Sequence, residues 1–175
     1  AGEYQIRNAV TVVEVCRALA RRGYAVTQDA VVEGISAAHM PGRFETVRNT
    51  PLCILDGGHN PGAIEAVCRN LDESLGGRRL LAVMGMFADK DYRSCVQKVA
   101  SRAGLFIATS SGQPRSQEAR ALAGIAKQYC RDVSWNPDIS VAACVALGLA
   151  SHNDVILVCG SIYNIAPARA VLAAY

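Results

Sequence analysis

The sequence predicts an α/β protein: a mostly parallel sheet with helices on both faces, preceded by two helices. Three observations predict it. Beyond residue 41, short unbroken apolar runs alternate with segments of helical periodicity; uninterrupted runs suit strands buried on both faces, and strand–helix alternation is how parallel strands are connected. Before residue 41 the periodicity is helical throughout. Four polar clusters directly follow four of the apolar runs: "DGGHNPG" from Asp56, "GMFADKD" from Gly85, "SSGQPRS" from Ser110 and "GSIYN" from Gly160. In open α/β sheets, ligands gather beyond the carboxyl ends of the strands, so one mouth is expected to collect all four.

Ile6, Val10, Val13, Cys16, Leu19 and Ala20 recur at three- and four-residue steps, which predicts a helix over 3–22 with these side chains on one face. Gly23 offers its stop. Thr27 is placed to cap a second helix, over 30–38, that turns Val31, Val32 and Ile35 inward. "MPGRFE" breaks the pattern, because Pro41 has no backbone donor and Gly42 admits unusual dihedrals; a domain boundary is expected near residue 40. Strand 52–55, helix 61–75, strand 80–84, helix 92–102, strand 105–109, helix 116–130, helix 139–149, strand 155–158 and a final helix toward residue 175 follow. There is no internal repeat.

The composition, 51% hydrophobic and 19% charged, is that of a chain with one buried core. The formal charge of +3 comes mostly from scattered arginines without a basic run, so no nucleic-acid partner is expected, while arginine's planar fork suits phosphate or carboxylate. Seven cysteines without a CxxC pair read as buried free thiols of a reducing compartment. No leader and no apolar run of the ~18 residues that cross a bilayer are visible; the expectation is a cytoplasmic protein with no membrane partner. The chain opens with Ala1-Gly2 and runs straight into a helix, which suggests a piece of a longer protein.

Among the polar clusters, Pro61 and Asn60 are ordinary helix initiation, but Asp56 and His59 are not explained that way. A carboxylate leaving a buried strand accepts hydrogen bonds from a ribose or binds a cation, and the free donors of a helix start favour an anion. Arg43, beside Gly42, suits a phosphate or an acid partner. Lys90 and Asp91 in "DKD" are weaker candidates, for a substrate amine or a metal-bound water, against a reading as solvated faces and cap residues. Gly160-Ser161 ends a buried strand, where a close backbone approach to a ligand and a simple sharp turn compete. His39 and His152 read as surface residues. The phosphate loop, the G-x-G-x-x-G fingerprint and the G-x-S-x-G elbow are all missing; no hydrolase triad stands out.

"YQIRNA" from Tyr4, "PGRFE" from Pro41, "LDGGHNPGA" from Leu55, "MGMFADKD" from Met84 and "GSIYNIAPAR" from Gly160 together resemble the folylpolyglutamate synthase/dihydrofolate synthase family of the Mur-ligase superfamily. The resemblance spans nearly the whole chain. It implies a Rossmann-like carboxyl-terminal domain over 41–175 and, over 1–40, the closing helices of a preceding central ATPase domain that carries the phosphate loop. It also implies an ATP-dependent ligase that joins L-glutamate to folate or dihydropteroate through an acyl phosphate, with Mg2+ held in the missing amino-terminal half, so that this piece alone is inactive. By resemblance, Asn8, Arg43 and Asp56 match nucleotide contacts, and His59 and Ser161 match positions for glutamate handling or productive closure. Lys90 and Asp91 lie near the same mouth. The sequence departs from the family in Gly58, where alanine is commoner, and in "YQ" for "HQ". A sister peptidoglycan ligase and a free-standing nucleotide- or amino-acid-binding module are the competing readings.

Overall fold

The computed structural model describes residues 3–174, with side chains from residue 5. Chain contacts divide between Pro41 and Gly42 into two units. The first holds α1 (Glu3–Arg21) and α2 (Gln28–Ala37), which touch each other. Gly23 takes the left-handed φ of +89° that the turn between them requires, and Thr27 caps α2 by accepting the Ala30 N–H at 3.2 Å. Val13 and Cys16 of α1 and Val31 and Ile35 of α2 are half-buried. The predicted apolar faces are wider than this pair covers: Ile6, Val10 and Val32 remain 57–59% exposed. The expectation that Val32 turns inward is therefore corrected, since two helices alone bury only one narrow stripe each.

The second unit is a six-stranded sheet in the order β1-β2-β6-β3-β4-β5. β2 (Leu52–Leu55), β6 (Val155–Cys159), β3 (Leu80–Met84), β4 (Leu105–Ala108) and β5 (Val133–Trp135) run parallel, and β1 (Glu45–Asn49) pairs antiparallel with β2 at one edge. The apolar runs became strands because both their faces are covered. Ile54, Leu80, Ala82, Met84, Phe106 and Leu157 pack beneath α3 (Pro61–Leu75), α4 (Tyr92–Ala100) and α5 (Ala119–Ala126). The alternate residues, Cys53, Leu55, Leu81, Val83, Ile107 and Ile156, face α6 (Ile139–Leu149) and α7 (Ile165–Leu172). Each fully buried Leu or Ile is worth about 1.5–3 kcal/mol over exposure, which outweighs the weak β preference of Leu and Ala.

Two strands escape the sequence reading. β1, "ETVRN", is polar and half-exposed, and β5 is three residues long and mostly exposed; edge strands lack the unbroken apolar signal of central ones. The helix expected over 116–130 forms only over Ala119–Ala126, because residues 110–118 form a loop that bridges back to the segment after β3 through Phe87 and Ser116. A 3-10 turn, Ile162–Asn164, precedes α7.

Candidate functional site

The connections after β2, β3 and β4 cross one face of the sheet, and those after β5 and β6 cross the other. β6 therefore lies between two strands whose continuations leave in the opposite direction, the arrangement that opens a crevice at the carboxyl edge. The chain along this edge is drawn tight. Gly57 N–H donates to Gly42 O at 2.7 Å, Gly160 N–H to Gly58 O at 3.0 Å, and Thr109 N–H to Met84 O at 2.9 Å. Gly160 sits at φ +96°, and a Cβ there would stand 2.5 Å from Gly85 O, so only glycine lets the ends of β6 and β3 approach this closely. The loop after β4 joins the same edge, with Ala88 N–H donating to Arg115 O at 2.9 Å and Gln117 N–H to Met86 O at 2.8 Å. All four polar clusters thus share one rim.

Asp56 leaves β2 only 2% exposed. Its Oδ1 accepts the Gly58 N–H at 2.6 Å and its Oδ2 the Phe44 N–H at 2.8 Å, so the carboxylate ties the loop before β1 to the turn after β2. Phe44 holds a strained φ of +46° in that loop, and Arg43 stands half-buried beside it. A Cβ on Gly58 would meet Asp56 Oδ1 at 2.9 Å, so the glycine leaves room for the carboxylate as it stands. The same loop is anchored by Glu45, which accepts the Gly42 N–H at 2.6 Å and grips Arg169 of α7 through two 2.5 Å bonds. That hydrogen-bonded carboxylate holds the Arg169 guanidinium pKa above its ordinary value. Glu45 and Arg169 were missed as site-forming residues because their partnership spans the sheet edge; both do stand in the quoted motifs.

His59 is half-buried, with Nδ1 3.1 Å from Gly57 O. A carbonyl only accepts, so the Nδ1–H is the donor of this contact, and Nε2 takes no part in it. Asn60 caps α3 through the Ala63 N–H at 2.9 Å, with Pro61 in the first turn. Ser161 is 2% exposed and its Oγ accepts the Tyr163 N–H at 3.3 Å, capping the 3-10 turn. Asp91 is exposed and caps α4, accepting the Ser94 N–H at 3.2 Å. Lys90 Nζ lies 3.7 Å from Asp89, which Arg115 approaches at the same distance while its guanidinium stacks over Phe87 at 4.4 Å. The Phe87 ring in turn lies 5.7 Å from that of Tyr163, joining the loops after β3 and β6. Beside them an open groove of about 590 Å³ is lined by Ser110, Ser111, Gln113, Asp138, Ser140 and Tyr163 among others.

Arg43, Asp56, His59, Lys90, Asp91 and Ser161 therefore all stand on the carboxyl rim, whereas Asn8 belongs to the first unit, on an exposed side of α1. Arg43, Arg115 and Lys90 bring guanidinium forks and an ammonium to the rim, a chemistry suited to anions. Among the described residues no group of three or more His, Cys, Asp or Glu is placed to hold a metal ion, and no helix is long and apolar enough to cross a membrane.

Residues 42–162 match the family described as "Mur ligase, glutamate ligase domain". The chain is 34% identical over 169 residues to a probable bifunctional folylpolyglutamate synthase/dihydropteroate synthase of Halobacterium salinarum, covering 96% of this chain and 20% of that protein. The structure of the Escherichia coli protein FolC in complex with DHPP and ADP superposes with a TM-score of 0.84 at 30% identity, over 95% of this chain and 39% of that one. A bifunctional folylpolyglutamate synthase/dihydrofolate synthase with Mn, AMPPNP and L-glutamate bound superposes at 0.74 and 30% identity, over 85% and 36%. The chain spans about a fifth to two fifths of the length of the curated relatives it matches.

Proposed function

Because the chain belongs to the family of Mur ligase glutamate ligase domains, we propose that it is the glutamate-adding, carboxyl-terminal part of an ATP-dependent ligase acting on folate or dihydropteroate. Residues 1–40 are then the closing helices of a preceding central domain and 41–175 the glutamate ligase domain. The observation that carries this reading is the shared rim. A buried aspartate locks the Arg43 loop against the "GGHNP" turn, and Ser161 follows Gly160, whose N–H donates to Gly58 O in that turn.

The chemical problem is that a carboxylate is a poor electrophile. ATP supplies the phosphoryl group that turns it into an acyl phosphate. The glutamate amine then attacks the acyl carbon, the bond to phosphate oxygen breaks with its electron pair, and inorganic phosphate leaves. Arg43 is placed to neutralise phosphate charge, and Asp56 fixes the loop that presents it. Nε2 of His59, the ring nitrogen not engaged with Gly57 O, is given the task of orienting the glutamate amino group. Ser161 holds the adjoining turn, with Lys90 at the rim for a glutamate carboxylate and Asp91 capping the helix behind it. Asn8, matched only by resemblance, is proposed as a further nucleotide contact. Magnesium ligands are assigned to the part of the relatives' length that this chain does not span. Closure of this domain on the ATPase half supplies orientation and excludes water from the acyl phosphate.

Full-length enzyme carrying Asp56→Ala or His59→Ala is expected to lose most ligation. Normal ligation by both variants contradicts the assignment of the site.

A further inference from the structure

We infer that Asn164 is a positioning residue for the glutamate side of this rim: its amide clamps the carboxyl ends of β3 and β6 and so sets where the Ser161 turn stands relative to the loop after β3. The inference rests on the ligase reading above for its kinetic consequence, but its geometric half stands alone.

The last paired residues of these neighbouring strands are Met84 and Cys159. Beyond them the regular ladder ends although the two chains stay close, and the next bond, Gly85 N–H to Cys159 O, is stretched to 3.4 Å, against about 2.9–3.0 Å for a typical amide bond. The Gly85 and Cys159 carbonyls both lack a close main-chain donor there. Asn164, 0% exposed, places Nδ2 2.9 Å from each of them. Both neighbours are acceptors, so the atom facing them is the NH2, and its two hydrogens match the two carbonyls. The other end of the amide, Oδ1, is buried without a hydrogen-bond partner. An unpaired buried acceptor costs free energy that a leucine at this position would not; the two donors are what the amide offers in return.

The clamp sits where its effect is transmitted to named site residues. The Asn164 N–H donates to Ser161 O at 3.1 Å, fixing the 3-10 turn that Ser161 caps, and Gly85 opens the segment leading to Phe87 and Lys90. Gly85 is closely surrounded: a Cβ there would stand 2.9 Å from Thr109 O and 3.3 Å from Asn164 Nδ2. Asn164 is buried behind the rim and acts by holding Ser161 and the β3 loop at one separation.

In the full-length enzyme, Asn164→Leu removes both donors at similar volume. The expected result is a fall of about 10- to 100-fold in kcat/KM for glutamate with KM for ATP unchanged. Should the leucine variant fail to fold, Asn164→Ser carries the same expectation. Unchanged kcat/KM for glutamate, or equal losses toward glutamate and ATP with a lowered unfolding midpoint, overturns the positioning role. A wild-type enzyme that releases no glutamate-dependent phosphate overturns the ligase reading instead. In that case the amide resonances of Gly85, Met86 and Ser161 in the 175-residue chain decide the clamp: they shift in Asn164→Leu if it exists and stay in place if it does not.

Discussion

Asp56 serves the fold and the proposed chemistry through the same two oxygens. Replacing it by alanine strands the Phe44 and Gly58 N–H donors, a loss expected to cost about 1–3 kcal/mol in urea unfolding and to release the Arg43 loop. Gly160→Ala is expected to cost at least as much, about 1–3 kcal/mol for the left-handed φ alone, because its Cβ also collides with Gly85 O. His59→Ala should leave the unfolding midpoint nearly unchanged, since the ring is half-buried and its hydrogen bond among the described residues is a local one to Gly57 O; its effect belongs in ligation. Asp56 and His59 were legible in the sequence because polar residues stand out directly behind a buried strand. Glu45 and Asn164 were not, since nothing in a run such as "GSIYN" tells which polar side chain turns inward to meet a carbonyl from a distant strand.

At the scale of elements, the turn chemistry was the readable part. Pro61 and Asn60 announced the start of α3, and Thr27 that of α2, because capping depends on residues a few positions apart. β1 and β5 were unreadable for the opposite reason: each is held by one neighbour across the sheet and shows water a side that no apolar run marks. Asp91 tests how far element structure explains a suspected site residue. Its carboxylate caps α4, so Asp91→Ala should destabilise by about 1 kcal/mol, while Asp91→Ser, which keeps a capping oxygen, should restore the unfolding midpoint. If ligation is restored with it, the cap is the whole role; a folded serine variant with impaired ligation assigns Asp91 to the substrate. The ion pairs joining α3 to α4 and the turn after it, Lys98 with Glu65 and Arg102 with Asp72, are partly exposed and are expected to matter little.

Over the whole molecule, the five buried thiols set an alkaline limit. Burial pushes Cys53 up to about 11 and Cys95 to about 12, from an ordinary 9.0, and raises Cys68, Cys130 and Cys159 as well. The folded chain thus holds these protons more tightly than the unfolded one. The stability they contribute is complete below about pH 9 and is lost as pH rises toward 11–12, which urea midpoints measured from pH 7 upward will show as a steepening fall, shallower in Cys95→Ala. Thiol labelling of the native chain should modify the exposed Cys144 first. The α/β class was visible in the sequence because apolar runs and helical periods repeat over the whole second unit. Ile6 and Val10, predicted to share one apolar face, and Val32, predicted to turn inward, are all exposed, because periodicity reports that a face is apolar and not what lies against it. We propose that this chain supplies the glutamate side of an ATP-dependent folate ligase. Phosphate release by the longest reading frame containing it, measured with ATP while folate or dihydropteroate and glutamate are omitted in turn, tests that claim most directly: release is predicted only when all three are present, and release that is indifferent to glutamate would contradict it.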